Sequence, residues 1–595
     1  MKKAYHTIVI GTGCAGYCAA DRLYSLGVKD IAVVTEGRFM GTSRNTGSDK
    51  QTYYKLSLCG CDGDSVREMA DTLYSGGGVM GEHALCEAAY SVRAFMHLVE
   101  LGVPFPTNEY GEYAGYKTDH DPRSRATSCG PLTSKYMTEA LERAVLSKGV
   151  ELIDGQRVIK ILTDGSAVNG IACVHIATGE LSVIRCSNVI LCTGGPAGIY
   201  KNTVYPESQH GATGLAIEAG AELSNMEQWQ YGIASTSFRW NLSGTYQQVL
   251  PRYVSVDTDG NEREFLYEKL GDASLDLIFL KGYQWPFDTR KTEGSSKVDL
   301  LVAEEIKEGK RVFLDFMRNP RGLENGFDIL GTEAYGYLER SGALFGTPIE
   351  RLAKMNAGAI ELYASHGIDL YTEYLEAAVC AQHCNGGVSV DANWQTSVCG
   401  LYAAGEAAGT FGVYRPGGSA LNSTQVGALR AAEHIAKGIE REVTATDFTM
   451  PCINYGESCV AEIRSALQSE MSRVADFDRS TDGMKVLKNK VEDIKNSFFE
   501  TVTVQDPSEH AELFKLYDIV LTQQAVLSAM ICSAERLGTH GSAIVDRKTC
   551  TSDEKRDTRT VTKAGDSYFE RVSPMPAPEL WFETLLARKK QEMGC

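Results

Sequence analysis

The chain has 595 residues, room for about four structural units at a usual domain size. Its 59 basic and 77 acidic side chains give a net charge of −18, which argues against a nucleic-acid partner or an anionic membrane surface, since both need clustered cations. A composition of 43% hydrophobic and 23% charged residues excludes disorder, and 59 glycines, a surplus over the usual share of about 7%, point to backbone that turns tightly or passes close to a ligand.

The N-terminus, MKKAYHTIVIGTG, carries two lysines but no long apolar stretch and no small-residue cleavage site, so no secretory signal is read. No apolar run reaches the roughly 18 residues of a membrane span. The 17 cysteines are odd in number and form no paired CxxC array. They read as free thiols in a reducing cytoplasm, with no metal or iron–sulfur site within the chain.

Residues 7–10 (TIVI) read as a buried parallel strand, and GTGCAG (11–16) opens a helix reaching Leu26. IAVV (31–34) is a second strand, ending at Glu36. The pattern is mostly helical from Asp64 to Gly102 and again over 129–148. RVIKIL, VNGIACVHI and LSVIRC form a meander, with turns at Asp164-Gly165 and Thr178-Gly179. A separate buried strand is read at 188–192, closed by Thr193-Gly194-Gly195. From about 225 to 375 the strand–Gly–helix rhythm disappears and aromatics accumulate, the mark of an inserted domain. GLYAAGE (400–406) restores the rhythm before a helix from about Ala420. The tail reads as helices over 455–475, 482–500 and 508–537, followed by charge runs such as 552–559 on a solvated surface.

Gly11-x-Gly13-x-x-Gly16 lies between a strand and a helix. The first glycine makes the turn, the second admits a pyrophosphate, and the third lets helix and strand touch. Glu36, at the end of the next strand, is placed to accept from a ribose diol. Two distant strand ends, Thr193-Gly194 and Gly405-Glu406, favour FAD over NAD, because a flavin must be gripped far along the chain. Cys14, Ala15, Gly37 and Val158 join these as candidate contacts, as do Thr42, Ser43, Asn45, Gly47 and Ser48 in the polar loop 41–51.

Six segments then carry a resemblance: IVIGTGCAG (8–16), ILCTGG (190–195), IEAGAEL (217–223), LYAAGEAAG (401–409), RPGGSAL (415–421) and ERLGTHG (535–541). The chain resembles the flavoprotein subunits of the succinate dehydrogenase/fumarate reductase family, which includes L-aspartate oxidase and the adenylylsulfate reductase α subunit. The resemblance implies an α/β chain: a Rossmann-type FAD-binding domain (1–224 and 376–445), an inserted α+β capping domain (225–375) and a C-terminal helical region (446–595). It implies that Ser419, Ala420 and Leu421 line the flavin and that Glu406 binds its ribityl chain. The histidine that bonds FAD covalently in succinate dehydrogenases is missing from 41–51, so FAD is expected to be noncovalent.

The dicarboxylate anchors of the family survive only in part. Arg415 stands in register. His383 precedes Gly386-Gly387 but is shifted by one place, Gly232 replaces a histidine, and Ser295 falls where an arginine belongs, with Lys297 and Arg290 near enough to substitute. Two carboxylates need two clamps, so succinate and fumarate are disfavoured. The candidate catalytic residues are Arg415 for the oxyanion, His383 for the proton, Asn385 and Tyr231, with Trp229, Trp240 and Tyr414 as pocket walls. The expectation is a flavoenzyme that reduces an activated C=C bond of a non-dicarboxylate acceptor. The alternatives are an electron-transfer flavoprotein working with a partner chain, and a dehydrogenase acting on an alcohol or amine carbon. The expected electron carrier is a separate iron–sulfur protein or flavodoxin.

Overall fold

The computed structural model describes residues 4–61, 63–438, 441, 443, 448–548, 557–579 and 581–592. Strand β1 (Ala4–Ile10), helix α1 (Cys14–Ser25) and strand β2 (Ile31–Val34) form the first βαβ unit, with β1 and β2 parallel. Their apolar, β-branched residues are buried on both faces of a seven-stranded sheet, as parallel strands require. Glu151–Ile153 extends the sheet beyond β2.

Beyond β1 the sheet differs from the sequence reading. The expected strands LSVIRC and 188–192 are one eleven-residue strand, Leu181–Leu191. Its first half closes the antiparallel meander on Val168–His175. Its second half runs parallel to both β1 and Leu401–Ala403. Ser187, the one residue between the two expected strands, satisfies its hydroxyl on the His6 carbonyl at 2.9 Å, and the strand runs through it.

A second sheet is antiparallel throughout, in the order Trp240–Asn241, Trp229–Ser235, Leu375–Cys384, Arg311–Asp315, Arg252–Val256, Glu262–Arg263. Strand Leu375–Cys384, interior to this sheet, ends beside a cavity that Gln382 and His383 line.

The tail holds the helices Val460–Val474, Thr481–Asn496 and His510–Leu537. It is not only helical. Thr558–Lys563 and Asp566–Arg571 form a hairpin, turned at Ala564 and Gly565, both with positive φ, and it pairs with Leu223–Ser224. The expected solvated run 552–559 therefore ends in a strand, and its residues 552–556 lie outside the described residues. Among the described residues one helical stretch, Pro507–Leu537, is long and apolar enough to cross a membrane, but 83% of its apolar window is buried inside the protein.

Candidate functional site

A cavity of about 720 Å³ runs from the β1–α1 turn to the second sheet. At its first end the walls are mostly backbone. Gly11 has φ +110°, and a Cβ there would lie 2.4 Å from the Cys192 carbonyl oxygen. A Cβ on Gly16 would lie 1.9 Å from the Gly11 oxygen, so α1 can approach the strand only as glycine. Gly13 caps α1 without any side-chain cap, so the helix N-terminus at the cavity wall is suited to an anion. The Cys14 N–H donates to Ser43 Oγ at 3.3 Å. Glu36 pairs with Arg157 at 2.6 Å, which fixes the carboxylate at the cavity wall beside Val158. Thr42 Oγ1, Gln156 Oε1, Arg157 Nε and His210 Nδ1 are buried polar atoms without a protein partner, all on residues lining this end. Such atoms normally find one, so the wall fits a polar ligand as large as a dinucleotide.

The opposite end is built from side chains. Gly405 (φ +71°) and Gly418 (φ +89°) turn the chain at its base, and Gly418 caps the helix Ser419–Lys437. Arg415 donates to Gln230 Oε1 at 2.7 Å, to Asn385 Oδ1 at 3.3 Å and to Ser419 Oγ at 3.4 Å. Three of its five N–H groups are thereby used, and two remain for a ligand. Asn385 donates from Nδ2 to the Gly412 carbonyl at 2.8 Å, so its Oδ1 faces both Arg415 and His383 Nδ1, the latter at 3.0 Å. An oxygen can only accept. His383 therefore carries its proton on Nδ1 and presents a bare Nε2, which has no protein partner and lies 3.9 Å from Glu406 Oε1.

Burial, then the charge of Arg415, holds the His383 imidazole well below its usual range, so it is neutral at physiological pH. Burial pushes the Glu406 carboxyl up to about 7, against hydrogen bonds from the Tyr205 hydroxyl and the Cys384 N–H. Burial also lowers Arg415 to about 10, against the charge of Glu406. Burial raises the Cys384 thiol, as befits an inert cysteine.

The family profile described as FAD binding domain matches residues 6–421. The chain belongs to this FAD-binding family. It is 27% identical over 456 residues to L-aspartate oxidase of Streptomyces coelicolor, covering 74% of this chain and 69% of that protein. It is also 27% identical over 487 residues to one subunit of the fumarate reductase (CoM/CoB) of Methanothermobacter marburgensis, covering 79% and 77%. The solved structure of E. coli quinol fumarate reductase FrdA matches with a TM-score of 0.70 at 19% identity, over 97% of this chain and 98% of that one. The protein is an FAD-dependent oxidoreductase of the succinate dehydrogenase/fumarate reductase family.

Most sequence-selected residues of this flavoenzyme meet at the cavity. Gly11, Gly13, Ala15, Glu36, Gly37, Thr42, Ser43, Gly47, Ser48, Val158, Thr193, Gly194, Gly405, Glu406, Ala420 and Leu421 line it, together with His383 and Arg415. Cys14, Gly16, Asn385 and Ser419 stand behind the wall: Cys14 bonds Thr138 Oγ1 at 2.9 Å, and Ser419 donates to the Pro416 carbonyl at 2.8 Å. Asn45 turns away, donating to the Phe39 and Gly41 carbonyls at 2.8 and 3.0 Å.

The aromatic walls are a correction. Tyr231 is 1% exposed, with its hydroxyl 3.0 Å from that of Tyr200, and Trp229 donates to the Met226 carbonyl at 3.0 Å. On a strand, 229 and 231 share one face and 230 takes the other, so Gln230 is the cavity residue. Trp240 packs on Phe238, and Tyr414 lies under the Arg290 guanidinium at 3.7 Å. The displaced arginine fares no better. Arg290 pairs with Asp288 at 2.8 Å, Lys297 with Glu293 at 3.0 Å, and Ser295 donates to Gln284 Oε1 at 2.9 Å, all outside the cavity wall. Sequence reasoning missed Gln230, Asn241, Gln382 and Trp285. The strand period could have found the first, but the others need the second sheet.

Proposed function

We propose that this oxidoreductase removes hydride from a carbon bearing a hydroxyl or amino group, on a small substrate with one carboxylate. FAD, when bound, supplies the two-electron acceptor. It is held noncovalently by the glycine turn, Glu36, the loop from Thr42 to Ser48, Thr193-Gly194, Gly405-Glu406 and the first turn of the helix Ser419–Lys437. Arg415 holds the substrate carboxylate with its two remaining N–H groups. His383 takes the hydroxyl or amine proton at Nε2 as the C=O or C=N bond forms, and Asn385 fixes the imidazole tautomer. The bare Nε2 in the cavity that Arg415 lines carries this reading, since it offers an unshared lone pair to a substrate proton.

A second reading is reduction of a C=C bond conjugated to the same carboxylate. It is favoured by the desolvated Arg415, whose guanidinium gives up a proton more readily than a solvated one. Anaerobic mixing separates the two. Substrate oxidation bleaches the oxidised flavin, whereas an enoate reoxidises the reduced flavin. The methanogen relative is by name one part of a larger enzyme, which supports a separate small iron–sulfur protein or flavodoxin as electron carrier here. The described cysteines are free thiols, in keeping with a cytoplasmic setting.

A further inference from the structure

We infer that the Asn241–Gln382 pair recognises a neutral carboxamide on the substrate, where a dicarboxylate enzyme would need a second charge clamp. This rests on the hydride-exchange reading at His383 and Arg415, and it names the other end of the substrate.

The pair exists because of a β-bulge. Gln230 faces His383 across the ladder and Tyr231 faces Ala381, so Gln382 is the extra residue on its strand. A bulge re-aims side chains, which is how adjacent Gln382 and His383 both line one cavity. The same extra residue accommodates the one-place shift of His383. Gly232 makes room for the bulge. A Cβ there would lie 3.0 Å from Gln382 Nε2 and 2.9 Å from the Trp285 carbonyl, so the amide occupies the space a side chain at 232 would need.

Asn241 Nδ2 donates to Gln382 Oε1 at 2.8 Å. One bond between two amides always leaves one carbonyl and one NH₂ unspent. Here these are Asn241 Oδ1 and Gln382 Nε2, both buried and without a partner among the described residues, on side chains that line the cavity. A primary carboxamide supplies the matching donor and acceptor. A carboxylate can only accept, so it would oppose Asn241 Oδ1, and an alkyl group would leave both atoms unpaired. Two lysines close in sequence to Trp285 are already paired: Lys281 with Asp299 at 2.7 Å, also donating to the Trp285 carbonyl at 2.7 Å, and Lys291 with Asp119 at 2.8 Å; the cations Lys50, Lys117 and Arg340 that line the cavity are on exposed residues.

The test is calorimetric titration of the FAD-loaded protein with succinamate, succinate and butyrate. Succinamate is expected to bind at least about tenfold more tightly than either of the others, as sites built for hydrogen bonding discriminate. In Gln382→Leu, with FAD content unchanged, the preference over butyrate should collapse. Gly232→Ala, which displaces the amide without removing it, should weaken the preference in the same sense. Equal binding of succinate or butyrate, no binding of succinamate, or a preference that survives both variants overturns the inference. Selective succinamate binding without flavin bleaching by any hydroxy or amino acid would instead sink the hydride reading and leave the inference standing.

Discussion

The two ends of the cavity are made of different material. At the nucleotide end the shape is set by backbone: glycines at 11 and 13, Gly16 packed behind them and a helix N-terminus, with the side chains of Glu36, Thr42, Gln156, Arg157 and His210 around them. At the substrate end the contacts come from side chains on separate strands and loops, brought together by a bulge at Gln382 and a helix cap at Gly418. Backbone contacts recognise what every FAD shares and tolerate almost no change. Side-chain contacts can be exchanged one at a time, so substrate preference can drift while the cofactor end stays fixed.

The sharpest way to break this comparison is Gly16→Ala. The added Cβ would meet the Gly11 oxygen at 1.9 Å, so purified protein should contain flavin only at background, read from the flavin-to-protein absorbance ratio. Retention of FAD would show that the first end is not rigid. Arg415→Ala should do the opposite, keeping FAD but cutting the anaerobic bleaching rate about 10²- to 10³-fold, the cost typical of removing a positioned charge donor. Survival within a few-fold would remove Arg415 from the site.

The pH profile sharpens the same end. His383 is depressed by burial and by Arg415, so its lone pair is available above a pKa well below 6.5 and is lost only in acid. Between pH 8 and 6.5 the bleaching rate should not fall on account of His383. A break near 7 belongs to Glu406, whose carboxyl is raised to about 7, and it should vanish in Glu406→Gln. A break near 7 that persists there would mean His383 titrates normally. Tyr231→Phe should have the smallest effect, about 1 kcal/mol of stability in urea titration from the lost contacts of its hydroxyl with the Tyr200 hydroxyl and the Ala475 carbonyl, with bleaching unchanged.

Legibility follows the same division. GTGCAG, TGG and AGE are local strings built on glycines with positive φ (Gly11, Gly194, Gly405) or with neighbours too close for a Cβ (Gly16, Gly195), so they can be read directly. The strand Leu181–Leu191 divides in the sequence at Ser187, whose hydroxyl finds its acceptor on His6 in another strand. The tail hairpin is hidden beneath a charge run. The carboxamide pair is out of reach, because Asn241 and Gln382 lie 141 residues apart and are joined by a bulge that no periodicity announces. His383 is legible as a site residue, but its protonation is not, because desolvation and the Asn385 tautomer lock belong to the folded structure.

Anaerobic mixing of the FAD-loaded protein with 2-hydroxy and 2-amino monocarboxylates, followed by flavin absorbance, tests the central claim most directly. Bleaching by a member of that set, lost in Arg415→Ala, is the predicted result. Oxidised flavin unchanged by the whole set, with reduced flavin reoxidised by an enoate, would contradict it.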